Sequence, residues 1–178
     1  MALKKFQSTL VLVVVFAALL VFVYFVEKDR EVKDEKEVAE ETYNVIDIDK
    51  TQVKEIIFEQ PDKKTRVIKE GEGWKIIEPI TYQARASKID ETLDTINKLE
   101  GNQKIDSTDL TEFKLDKPVV KVTLLMKNDT QYEILLGDKN PQESGIYVKT
   151  STQAAVYLAN NTLIETQLKL DEEVLKED

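Results

Sequence analysis

The stretch VKEIIFEQPDKKTRVIKEGEGWKIIEP, residues 53–79, decides the fold. It contains three short runs rich in β-branched and aromatic residues: VKEIIFEQ at 53–60, KTRVIKE at 64–70 and GWKIIEP at 73–79. Pro61-Asp62 suits a reversal between the first two, and Gly71-Glu72-Gly73 a tighter one between the second and third. The pattern predicts an antiparallel meander. Trp74, the only tryptophan of the chain, begins the third run, where its ring is expected to pack onto the sheet.

Upstream, VIDID at 45–49 reads as a further strand. Downstream, Ile89, Leu93, Ile96 and Leu99 recur at helical spacing, with Ser87 placed to cap the helix start, Asp90 in the capping-box position and Gly101 to stop it. Residues 102–118 are a polar connector punctuated by Ile105, Leu110, Phe113 and Leu115, points that should tack it onto the body. VVKVTLLMKN at 119–128 and TQYEILLGD at 130–138 alternate apolar and polar residues around Asn128-Asp129, the signature of a hairpin. GIYVKT at 145–150 and AAVYLAN at 154–160 extend the sheet, and Asn161 should open a last helix with Ile164, Leu168 and Leu175 on one side.

The N-terminus reads differently. Leu10 to Val26, LVLVVVFAALLVFVYFV, is an uninterrupted apolar run of roughly 26 Å as a helix, the span of most of a bilayer core. No small-residue cleavage site follows it, so the reading is an uncleaved signal anchor with Leu10, Val14, Phe16, Leu20, Phe22, Tyr24 and Val26 facing lipid. Lys28, Arg30, Lys33 and Lys36 outnumber Lys4 and Lys5, which taken literally puts the body in the cytoplasm, although these cations alternate with acids; the expected orientation, with the N-terminus in the cytoplasm, leans on the resemblance given below. Residues 27–43 are almost wholly polar, with pairs such as Asp29–Lys33 at helical spacing, and read as a charged helical stalk.

The expected fold class is therefore α+β: an N-terminal transmembrane helix, then a largely antiparallel sheet with helices packed on it. Residues 53–100 and 119–170 echo each other as a β-β-β-α duplication. The expected domains are an anchor at 1–26, the stalk at 27–43 and an extracytoplasmic body at 44–178, placing the protein in the cell membrane as a single-pass chain.

Composition limits the chemistry. Two of the 25 basic residues and none of the 34 acidic ones lie in residues 1–26, so the remainder carries 23 basic against 34 acidic side chains, a net of −11. Such a body repels nucleic acid, and no nucleic-acid partner is expected. The chain has no cysteine and no histidine. That removes disulfides, thiolate catalysis, Cys-type zinc sites, and every Ser-His or Cys-His nucleophile pair. No cofactor, metal or catalytic residue is expected, and the chain does not read as an enzyme.

Several stretches together carry a resemblance: G-W-x-I-x-x-P at 73–79, Ala86, Ile89, Asp90 and Leu93 in the helix, F-x-L-D-x-P at 113–118, L-G-D-K-x-P at 136–141 and G-x-Y-V at 145–148. The chain resembles the bacterial family known as domain of unknown function 4340. The resemblance implies an N-terminal membrane anchor, an extracytoplasmic α+β body and a gene neighbourhood shared with ABC-type transporters of the gliding-motility or auxiliary-transport kind. Members usually show Tyr-Gly-Leu before the Asp-x-Pro, where this chain has Phe113-Lys114-Leu115. Losing that glycine argues against an identical connector conformation.

The candidate binding loop is Gly137, Asp138, Asn140, Pro141, Gly145 and Tyr147, a long connection between two strands, because loops held by a rigid sheet are where recognition concentrates. Asp47 and Asp49 faintly resemble a calcium loop but lack its glycine and terminal glutamate. Asp106, Asp109, Glu112 and Asp116 crowd the connector and supply oxygens for a hard cation. The expected function is a non-enzymatic interaction module of a membrane complex, its partners the membrane and ABC-type transporter subunits. Two alternatives stay open: a carboxylate-based cation-binding or hydrolytic domain, and a structural subunit acting through its transmembrane helix.

Overall fold

A computed structural model describes residues 42–160 and 167–176, together with Phe16, Leu19, Val21, Phe22, Tyr24 and Ile164. The chain divides into two compact units, Met1–Glu40 and Glu41–Asp178. The second holds ten strands: β1 (Tyr43–Asn44), β2 (Val53–Gln60), β3 (Lys63–Glu70), β4 (Gly73–Glu78), β5 (Tyr82–Ala84), β6 (Glu100–Ile105), β7 (Val120–Met126), β8 (Gln131–Lys139), β9 (Gly145–Thr150) and β10 (Val156–Asn160). Among the described residues its helices with complete bounds are α1 (Ala86–Asn97) and the short α2 (Glu172–Leu175).

All ten strands form one sheet in the order β1-β6-β10-β9-β8-β7-β2-β3-β4-β5. Two four-stranded meanders, β2 to β5 and β7 to β10, lie back to back. They meet where β2 pairs antiparallel with β7, setting Ile56 opposite Leu124 and Phe58 opposite Val122. After α1 the chain crosses to the far side, where β6 pairs with β10 and carries β1 at its outer edge.

Strand periodicity sends alternate residues to opposite faces. One face buries Ile56, Phe58, Val67, Trp74, Ile76, Val122, Leu124, Ile134, Leu136 and Val148 beneath Ile89, Leu93 and Ile96 of α1, each large side chain contributing about 2 kcal/mol by leaving water. The other face is covered over β8, β9 and β10 by the connector, whose Phe113 and Leu115 pack with Val156, Leu135 and Tyr147. Beyond the connector this reverse face is charged: Glu55, at 7% exposure, pairs with Arg66, and Lys121 pairs with Glu133 at 2.6 Å.

The architecture corrects the expected class. The body is predominantly β, because segments read as helix-flanking or connector are strands. β5 lies where the chain approaches the helix, and β6, EGNQKI, was expected to be helix end and connector. VIDID at 45–49 forms no strand, although Val45, Ile46 and Ile48 are buried. The repeated unit is four strands rather than three. α1 starts two residues earlier than Ser87 suggests, with extended Arg85 at its cap position and no side-chain cap bond. It ends at Asn97, and Gly101 lies inside β6 opposite Tyr43. The single last helix is two pieces: Ile164, Gln167 and Leu168 are helical, the chain leaves helix at 169–171, and α2 follows with Asp171 capping it.

The transmembrane helix is corrected as well. Among the described residues no helix is long and apolar enough to cross a membrane. Phe16, Phe22 and Tyr24 of the expected anchor are helical and exposed. Leu10, Val14, Leu20 and Val26 lie outside the described residues, as does nearly all of the expected stalk; Tyr43, its last residue, is strand. The single-pass location in the cell membrane with an extracytoplasmic body rested on that helix and is corrected with it.

Candidate functional site

The six loop candidates occupy one hairpin. Gly137 and Asp138 close β8, Asn140 and Pro141 form the loop, and Gly145 and Tyr147 belong to β9. The loop is built around the Asn140 side chain, which is 7% exposed. Its Oδ1 accepts from the Gly145 amide at 3.0 Å, while its Nδ2 donates to Gln142 Oε1 at 3.1 Å and Ser144 Oγ at 3.0 Å. The Asn140 amide donates to the Gly145 carbonyl and the Glu143 amide to the Asn140 carbonyl. Glu143 holds a positive φ of 56° at the turn. An asparagine with every polar atom engaged makes this a shaped loop. Gly145 has a packing reason too: a methyl group there would sit 2.7 Å from Leu158 Cγ.

A second segment grips the hairpin below its loop. The Phe113 carbonyl accepts from the Asp138 amide at 2.9 Å, and the Phe113 ring packs on Tyr147 with centroids 4.8 Å apart. Lys114 Nζ reaches Asp138 Oδ2 at 2.8 Å. That hydrogen bond, with the attraction of opposite charges, holds the Asp138 carboxyl below and the Lys114 ammonium above their usual ranges. Lys114 has φ of 52°, the left-handed conformation that glycine favours. F-x-L-D-x-P, L-G-D-K-x-P and G-x-Y-V are thus one packed unit.

Beside the loop opens a cleft of about 380 Å³, walled by Val119, Gly137, Asp138, Asn140, Pro141 and Lys169. Two larger hollows, about 460 Å³ each, lie elsewhere: one between the end of α1 and β6, against Asp94, Leu99 and Ile164, and one at the β1 edge beside Tyr43 and Tyr157. Neither is visible in sequence, since the first gathers residues from two and the second from three separated segments. The tilted Tyr43–Tyr157 pair, 5.9 Å apart, has no local signature at all.

The acidic candidates do not converge. Asp49 Oδ1 accepts from the Thr51 amide and hydroxyl, capping a single 3-10 turn at Lys50–Gln52. Asp106 pairs with Lys104 at 3.4 Å, and Asp109 Oδ1 accepts from the Thr111 amide at 3.0 Å. Among the described residues no group of three acidic side chains is placed to hold a metal ion.

A single antiparallel sheet, one hairpin of which is strapped from behind by a connector, defines the class: a predominantly β domain. The chain belongs to the family of the domain of unknown function (DUF4340), whose model matches residues 74–176. No curated protein and no solved structure matches it significantly.

Proposed function

We propose that the chain is a non-enzymatic interaction module that offers the β8–β9 loop to a partner protein, a subunit of an ABC-type transporter. The observation that carries the reading is the convergence of the family-type motifs on one hairpin: two form the hairpin and the third grips its legs. A loop fixed in this way binds without the ordering cost that a free loop meets, and loops on rigid sheets are common recognition sites. The transporter is the partner that the family resemblance implies, and the net charge of −11 over residues 27–178 favours a basic face on it.

The test is capture of the intact, tagged chain from its own cells after mild cross-linking, followed by mass spectrometry. Transporter subunits are expected in fixed ratio with the wild type and are expected to be lost with Pro141→Arg, a change at an exposed loop position. A chain that emerges alone, or a variant that captures the same subunits equally well, overturns the proposal.

A further inference from the structure

We infer that Phe113, Lys114 and Leu115 form a positioning strap that sets the conformation of the β8–β9 loop, so that the loop's order depends on the connector rather than on the hairpin alone. The inference rests on the reading of this loop as the recognition surface.

The legs of the hairpin are held within the sheet, β8 by β7 and β9 by β10, but the five loop residues 140–144 stand beyond that pairing. The strap touches both legs just below the loop. On the β8 leg, the Phe113 carbonyl takes the Asp138 amide, and Gly137 lies so close beneath the strap that a Cβ there would stand 2.0 Å from the Phe113 oxygen and 3.1 Å from Leu115 Cγ. On the β9 leg, the Phe113 ring meets Tyr147. Lys114 closes the clamp from outside through Asp138. Asn140 follows Asp138 by two residues, and Gly145 precedes Tyr147 by two. The legs are therefore fixed at matching heights, and the Asn140–Gly145 hydrogen bonds close the frame above them. The strap is itself anchored by the Leu115 amide, which donates to the Leu110 carbonyl at 2.9 Å.

Amide hydrogen exchange on the full chain tests this without any partner. The readers are the amides of Asn140, Glu143 and Gly145, all hydrogen-bonded within the loop. Phe113→Ala is expected to speed their exchange about tenfold or more relative to amides of β2 and β3. Phe113→Leu, which keeps the strap's apolar bulk, guards against simple unfolding and should give an intermediate value. Ile76→Val, in the remote β4, should change both sets alike. If the loop amides and the β2–β3 amides accelerate equally in Phe113→Ala, or neither responds, the strap does not position the loop and the inference is overturned. If loop exchange rises in Phe113→Ala while transporter capture persists, the strap stands and the recognition reading fails.

Discussion

Gly137 has no room for a methyl group, because the Phe113 carbonyl oxygen occupies the place where a Cβ would go. Gly137→Ala must push the strap off β8, and it should cost about 3 kcal/mol in chemical denaturation, the upper range for overpacking; an unchanged denaturation midpoint would contradict the close approach. Lys114 offers the opposite case. A left-handed conformation costs a non-glycine residue roughly 1–2 kcal/mol, so Lys114→Gly should be more stable than Lys114→Ala by about 1 kcal/mol, although both lose the contact with Asp138. Acid should weaken that contact. The Asp138 carboxyl titrates below its ordinary value in the folded chain, so its contribution is complete above the unfolded value of about 4 and is lost as the pH falls through the lower, folded one. The stability gap between wild type and Asp138→Asn should accordingly narrow in acid below about pH 4, as measured by thermal melts across a pH series.

At the scale of elements, β2 joins the two meanders, and two of its contacts and neighbours are informative. Arg66 on β3 pairs with the buried Glu55 of β2; Arg66→Ala leaves that carboxylate unpaired and should cost about 2 kcal/mol. Thr65, beside it on β3, has a buried hydroxyl without a hydrogen-bond partner, so Thr65→Val should stabilise the fold by about 1 kcal/mol. Urea titration of the two variants checks both signs. The hairpins containing these residues were legible in sequence because strict alternation and turn residues mark them locally, as the Ile134–Leu136 and Val120–Met126 patterns also do. β6 was not legible: five of its six residues are at least partly exposed, so EGNQKI carries no apolar face to betray a strand. The helix start was misplaced because Arg85 is held by tertiary bonds, its amide donating to the Leu175 carbonyl and its guanidinium to the Lys176 carbonyl, and these displace the local capping preference at Ser87.

For the whole molecule, the sheet extends beyond the segment that the family model matches. That match begins at Trp74, inside β4, yet β2 and β3 lie between β7 and β4 in the sheet. A fragment of residues 74–176 would therefore lose β2 and β3, the pair that links β7 to β4, and the β7 edge and the Trp74 strand would both stand open; circular dichroism should find it without a cooperative melt, while the intact chain melts cooperatively. The β2–β7 junction was illegible because strand order across a long separation is set by which faces close the core, and no local pattern records it. The hairpin loop was legible as a loop, from Gly137, Pro141 and Gly145. That Phe113 and Leu115 tack the connector onto the body was legible as well; that they land on Gly137 was not, since the two segments are brought together only by the packing of the connector on the reverse face.

The strapped loop is the surface that the proposed partner would read. The most direct test is cross-linked capture of the intact chain from its own cells, run in parallel for wild type and Pro141→Arg, with thermal melts confirming that both are equally folded. Transporter subunits are expected in fixed ratio with the wild type and none with the variant. Equal capture by both, or a wild-type chain that comes out alone, would contradict the proposal.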